Sequence, residues 1–220
     1  MKRVLFSAIL VVASLTFLAG GAWGAVEVCV SDATELQSAL TAAQSNGDDD
    51  IIKVVQGTYN GNFTYDSGEG HSITLLGGYT SGCASRVVDP ANTVLDGSGS
   101  GGVLYGGVLY LNNTDGGDIS LEGFTIQDGS SGFGGGVYAS SSGSMQSGDV
   151  TLTDNTITGN IASSSGGGVY ASSGSSTQSG DVTLTDNTIT GNTADGYGGG
   201  VYARSASNSG TAGNVTFTNN

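Results

Sequence analysis

The residues able to do chemistry are few, and their spacing says more than their number. The chain has one histidine, His71, and 5 Lys+Arg against 19 Asp+Glu. Cleaving a glycosidic bond takes two carboxyl groups held at a set separation. The acids that recur, Asp149 with Asp181 and Asp154 with Asp186, recur 32 residues apart with no cation beside them. No catalytic, cofactor-binding or metal-ligating set is therefore expected. Stacked acid pairs do repel one another, and Ca²⁺, which takes clustered oxygens, is the one cofactor they suggest. Placement in water relieves the same repulsion more simply. His71 reads as a loop residue, and Gly132 to Gly136 as a turn.

Two further sets of residues have chemical potential. Cys29 and Cys83 are the only cysteines, and in an oxidising compartment they are expected to form a disulfide. Tyr138, Tyr170 and Tyr202 share a 32-residue spacing and alternate with apolar neighbours. They should point outward in a column. Such a column is either a stripe for stacking glycans or simple cross-coil pairing, and pairing is the more economical account.

Composition narrows the class. A net charge of −14 leaves no basic cluster for nucleic acid and none for an anionic membrane surface. Forty glycines with a single proline are not collagen. Residues 1–24 have the form of a secretory signal: Lys2 and Arg3, an apolar run from Val4 to Leu18, then Ala22-Trp23-Gly24 before a cut at Ala25. After that cut only Lys53, Arg86 and Arg204 remain as strong bases, and no later segment reads as a transmembrane span.

What must position these residues is a repeat. Gly134-Gly135-Gly136-Val137-Tyr138-Ala139 returns at 166–171 and 198–203, and the fourteen residues 147–160 are identical to 179–192. A fixed period of this size means stacked units. Within one unit Val150 and Leu152 alternate with Thr151 and Thr153, Ile157 lies between Thr156 and Thr158, and Val137 and Ala139 flank Tyr138. Each is a short strand with one apolar face, so three strands per coil are expected, joined at Asp154-Asn155, Gly159-Asn160 and the triple glycine. Asn155, Asn187 and Asn220 should stack at one turn, with Asn160 and Asn192 at another, as amide ladders. The serine-rich stretches 140–147 and 172–179 read as flexible protrusions.

Earlier strands are expected at 51–55, 73–78 and 93–97, with Ile119, Leu121 and Ile126 matching Val150, Leu152 and Ile157. Ahead of them, Asp32 and Glu35 have capping-box spacing, and Leu36, Ala39, Leu40 and Ala43 share one helical face. The expected architecture is all-β, with a cap containing a short helix over 25–50 and a solenoid over 51–220.

The Gly-Gly-Val triplets at 135–137, 167–169 and 199–201, with Phe217-x-x-Asn220, resemble the GG[AILV]…FxxN repeat of polymorphic outer-membrane proteins. Leu121-Glu122-Gly123-Phe124-Thr125-Ile126 is similar to a recurrent coil of secreted bacterial β-helix proteins. More broadly the chain resembles the right-handed parallel β-helix, pectin-lyase-like superfamily. In the two complete coils leucine replaces the phenylalanine, at Leu152 and Leu184.

The resemblance implies a non-enzymatic protein, secreted or displayed on the outer cell surface, acting as an adhesin-like or structural passenger. Glycans or host and cell-surface proteins would be its partners. The alternative it implies is a carbohydrate-active β-helix whose catalytic coils lie outside these residues. The final coil is expected to be open, able to pair with further sequence or with another chain.

Overall fold

The computed structural model describes residues 25–98 and 103–220; the expected signal segment, 1–24, lies outside them. The described chain winds into a parallel β-solenoid with four sheets and one α-helix. Sheet 1 stacks Val26–Val30, Asp50–Val55, Ile73–Tyr79, Ile119–Glu122, Val150–Thr153, Val182–Thr185 and Val215–Thr218. Sheet 2 stacks Gly57–Asn60, Thr93–Asp96, Thr125–Gln127, Thr156–Thr158 and Thr188–Thr190. Sheet 3 holds Val103–Tyr105, Ser130–Phe133, Ile161–Ser165 and Thr193–Ala194. Sheet 4 holds Phe63–Ser67, Leu109–Asn113, Val137–Gly143, Val169–Ser175 and Val201–Ser207.

The register follows the repeat. Val150 pairs with Val182, Ile157 with Ile189 and Tyr138 with Tyr170, all in parallel ladders. The alternation read from sequence places Val150, Leu152, Ile157, Val137 and Ala139 in the core, each fully buried. Ile119 and Leu121 lie under Val150 and Leu152, and Ile126 under Ile157, as their matching pattern required.

Each coil has four strands where the sequence suggested three. The added strand, Ile161–Ser165 and its equivalents, turns Ala162, Ser131 and Ser165 inward. Alanine and serine carry no hydrophobic alternation, so the ladder alone makes the strand. The early strands fall where the sequence places them, and the ladder divides them between two sheets. Asp50–Val55 and Ile73–Tyr79 belong to sheet 1, whereas Thr93–Asp96 belongs to sheet 2. Val26–Val30 already pairs with Asp50–Val55, so the sheet begins inside the stretch expected to be cap.

The serine-rich stretches are a second correction. Their first halves are sheet-4 strand rather than protrusion. Ser141 and Ser173 are fully buried, and their hydroxyls donate to Gly117 O and Gly148 O, both at 2.9 Å. Ser205 repeats the bond to Gly180 O at 2.8 Å. A serine facing the core is tolerated because its hydroxyl is satisfied there.

Helix α1, Ala33–Ala43, is N-capped by Asp32, whose Oδ1 accepts from the N–H groups of Thr34 and Glu35 at 2.8 and 2.9 Å. Glu35 reaches back one residue further than a standard capping box, accepting from Ser31 N and Oγ. Leu36, Leu40 and Ala43 bury the apolar face. Gln37 finishes the cap: its amide donates to Thr64 O at 3.0 Å and accepts from Thr64 N at 2.9 Å. That closes the edge of the first sheet-4 strand, which is otherwise a template for pairing.

The triple glycine is a steric requirement. Gly166 has φ +71, and a Cβ on Gly167 would collide with the carbonyl oxygens of Gly199 and Thr193. Only glycine permits that approach between coils.

Candidate functional site: the outer face of sheet 4

Cys29 and Cys83 form a disulfide, with Cα atoms 5.9 Å apart. It ties the first strand of sheet 1 to the short turn at Ser81–Cys83.

The asparagines form two ladders. Asn155 Nδ2 donates to Leu121 O and to Asn187 Oδ1, and Asn155 N donates to the same Oδ1 at 3.1 Å. Asn187 repeats this toward Asn220, whose Nδ2 reaches Leu184 O. At the next turn, Asn160 and Asn192 do the same, with Asn160 also accepting from Gly129 N. Each amide bonds the backbone of the coil before it.

The recurrent acids also have structural partners. Asp118 Oδ1 accepts from Asp149 N at 2.8 Å, Asp149 Oδ1 from Asp181 N at 2.7 Å, and Asp181 Oδ1 from Asn214 N at 2.6 Å. An amide donor to each carboxylate offsets the like-charge repulsion that suggested Ca²⁺. Asp154 and Asp186 occupy left-handed turn positions, φ 52 and 55, equivalent to Gly123 below and Asn219 above. Among the described residues no cluster of three or more His, Cys, Asp or Glu has the arrangement to hold a metal ion. His71 sits in a loop, its Nδ1 3.7 Å from Asp49.

Tyr138, Tyr170 and Tyr202 form the expected column on the outer face of sheet 4, and Tyr110 extends it by one rung. Tyr110 was missed, although Gly106-Gly107-Val108 before it is a worn copy of the Gly-Gly-Val signal. The rings lie face to face: centroids are 5.2, 4.9 and 5.0 Å apart, with interplanar angles of 23°, 4° and 15°. Flanking this column, Tyr105 and Phe133 pack against Tyr138 and Tyr170. The inner rings therefore cover one another, and a ligand meets their edges and hydroxyls rather than their faces. Each such aromatic pair contributes about 0.5–1.5 kcal/mol beyond burial.

Burial favours the neutral phenol at Tyr110, Tyr138 and Tyr170. Desolvation pushes Tyr110 up to about 12, with the nearby Asp66 charge adding to it. Burial also raises Tyr138 and Tyr170, the latter opposed by the positive charge of Arg204. In an absorbance titration, Tyr110 is expected to ionise near pH 12 together with Tyr59, which burial also pushes up to about 12, and Tyr110→Phe should shrink that step without abolishing it. Because the unfolded chain releases its phenol protons near pH 10, it gains stability first. Folded-state stability should therefore fall between pH 10 and 12. An ordinary phenol titration unchanged by Tyr110→Phe would contradict this.

The three strong bases are not brought together. Lys53 pairs with Glu27, and Arg86 with Glu122 at 3.0 Å. Arg204 stands on the outer face of sheet 4, where its Nε donates to Ser172 Oγ at 3.1 Å. No carboxylate pairs with it among the described residues. Beside it lies a groove of about 270 Å³ lined by Ser140, Ser142, Ser172, Gly174 and Ser176. Sequence reasoning counted Arg204 only as an isolated cation. Its setting depends on the register that places it one rung above Ser172.

A family model described as "Right handed beta helix region" matches residues 91–220, more than half of the chain. The chain belongs to the right-handed β-helix family. No curated protein and no solved structure gave a match. In this β-helix the matched stretch holds the Asn ladders, the tyrosine column from Tyr110 onward and the Arg204 groove. Helix α1 and both cysteines precede it. None of the described helices is long and apolar enough to cross a membrane. Membership describes the scaffold, and function rests on the surfaces it carries.

Proposed function

We propose that this β-helix is an exported, surface-displayed protein that acts as an adhesin-like or structural passenger, by presenting a surface rather than by turnover. The observation that carries the reading is the use of its repeated polar side chains. The asparagines of both ladders, Asp118, Asp149 and Asp181, and the inward Ser141, Ser173 and Ser205 all bond to a neighbouring coil. Repetition here builds a stack: of the two recurring acid pairs, Asp149 and Asp181 are engaged in it through their carboxylates, and Asp154 and Asp186 recur as left-handed turn residues. Export is supported by the Cys29–Cys83 bridge, which is stable in oxidising compartments, and by the signal-like form of residues 1–24. Glycans or cell-surface proteins are the partners proposed for the outer face.

The test is direct. The purified protein, bridge intact, is incubated with pectate, alginate and neutral glycans, with and without Ca²⁺. Release of reducing ends or unsaturated products is then followed. No product is expected above the buffer rate. Turnover on any substrate would replace the passenger reading with the carbohydrate-active one.

A further inference from the structure

The groove beside Arg204 has a simple origin. Outward side chains on sheet 4 form columns, and one column runs Ser142, Gly174, Ala206 through adjacent rungs. Gly174 removes a side chain from its middle, leaving a depression between Ser142 and Ala206. The Arg204 guanidinium leans over it: a Cβ on Gly174 would lie 3.9 Å from Arg204 Nη2. The neighbouring column, Asn112, Ser140, Ser172, Arg204, supplies the hydroxyls along one wall.

The charge pattern of this face is unusual for the molecule. The chain as a whole carries −14, yet no acid lines the groove. Lys53 and Arg86 have carboxylate partners, whereas Arg204 is held by a hydroxyl. Its Nε is engaged with Ser172, and both Nη groups lack a hydrogen-bond partner among the described residues. Ser172 is 5% exposed beneath it. A guanidinium with its fork free, above serine hydroxyls, is suited to an oxyanion.

We propose that this groove binds a sulfate ester on a glycan, with the Arg204 fork and the hydroxyls of Ser140, Ser142 and Ser176 sharing its oxygens. Two features select sulfate. The hydroxyls outnumber what the two oxygens of a carboxylate need, and they come from two rungs, matching a tetrahedral group. One arginine also balances a single charge. A sulfate ester carries one negative charge, whereas a phosphate monoester carries about 1.5–2 at neutral pH. In so acidic a protein, the surplus charge of phosphate would be repelled. The sugar itself would lie along the edges and hydroxyls of Tyr170 and Tyr202, the next column on the same face.

This inference rests on reading the face as a recognition surface, and its test is independent of the turnover assay. Dextran sulfate, carboxymethyl-dextran, phosphorylated dextran and plain dextran share one backbone and differ in the group they present. Binding of each to the intact protein is measured by calorimetry in moderate salt. Dextran sulfate is expected to bind, and the other three to bind at least tenfold more weakly. Arg204→Ala should weaken dextran sulfate roughly tenfold or more, the usual effect of losing charge-assisted bonds. Arg204→Lys should recover only part of that, because lysine keeps the charge and loses the fork. Gly174→Leu, which fills the depression, should weaken binding without lowering the melting temperature. Thr183→Ala, in sheet 1 rather than sheet 4, should change nothing. Equal binding of carboxymethyl-dextran, unchanged affinity in Arg204→Ala, or no binding of dextran sulfate would each overturn the proposal. The absence of turnover would stand in every case.

Discussion

Replacing Asn187 with alanine is expected to destabilise the protein by about 2–6 kcal/mol, more than most surface or single-contact changes. Asn187 is 2% exposed. Its Oδ1 accepts from both Asn155 N and Asn155 Nδ2, and its own Nδ2 donates to Leu152 O, Thr185 O and Asn220 Oδ1. Alanine would leave at least two buried groups on neighbouring coils unsatisfied, at about 1–3 kcal/mol each. Asn187→Asp keeps the size but loses the donor and buries a charge, so it should be no better tolerated. Denaturant unfolding should show a lower midpoint with little change in slope. Asn155→Ala together with Asn187→Ala should cost less than the two singles added, since each removes the other's partner; a coupling of about 0.5–3 kcal/mol is expected. A loss under about 1 kcal/mol would mean that water satisfies the turn and that the ladder is not a main support.

The parts of this fold legible in sequence are those written in apolar alternation. Val150, Leu152 and Ile157 announce sheets 1 and 2 because period-two burial needs large side chains at alternate positions. The 32-residue spacing then sets their register. Sheet 3 was hidden because Ala162, Ser131 and Ser165 face inward without a hydrophobic signature. Ser141 and Ser173 misled for a related reason. In sequence they look like a flexible tract, since the carbonyls that satisfy them, Gly117 and Gly148, lie more than twenty positions away. Arg204 shows the same limit at the candidate site. Its type was plain, but its meaning depends on Ser172 and Gly174 one rung below, and on carboxylates that pair with Lys53 and Arg86 instead. The tyrosine column was legible in its spacing, while the direction its faces take was not. With the faces covered, the open recognition chemistry of sheet 4 lies in the groove alongside.

Breaking the Cys29–Cys83 bridge is expected to have the second large effect, and at one end of the molecule. The bridge closes a loop across a sequence separation of 54 residues, and the chain-entropy model assigns about 4 kcal/mol to a loop of that size. Its position adds to this. Among the described residues, Cys29 lies in the first strand of sheet 1, which pairs on one side only, with Asp50–Val55. Helix α1 follows that strand and covers the first sheet-4 strand through Leu36, Leu40 and Gln37. The nearby Lys53–Glu27 pair is solvent-exposed and contributes little. Without the bridge, strand and helix are free to leave together and uncover Ile52, Tyr65 and their neighbours. Paired Cys29→Ser and Cys83→Ser should therefore lower the melting temperature by about 8–16 °C, using about 2–4 °C per kcal/mol for a chain of this size. Amide exchange should rise first across residues 25–67, while the Asn-ladder coils keep their protection. Equal melting of the bridged and serine forms would show that the bridge adds nothing to the cap. Uniform loss of protection along the solenoid would show instead that cap and coils unfold as one unit.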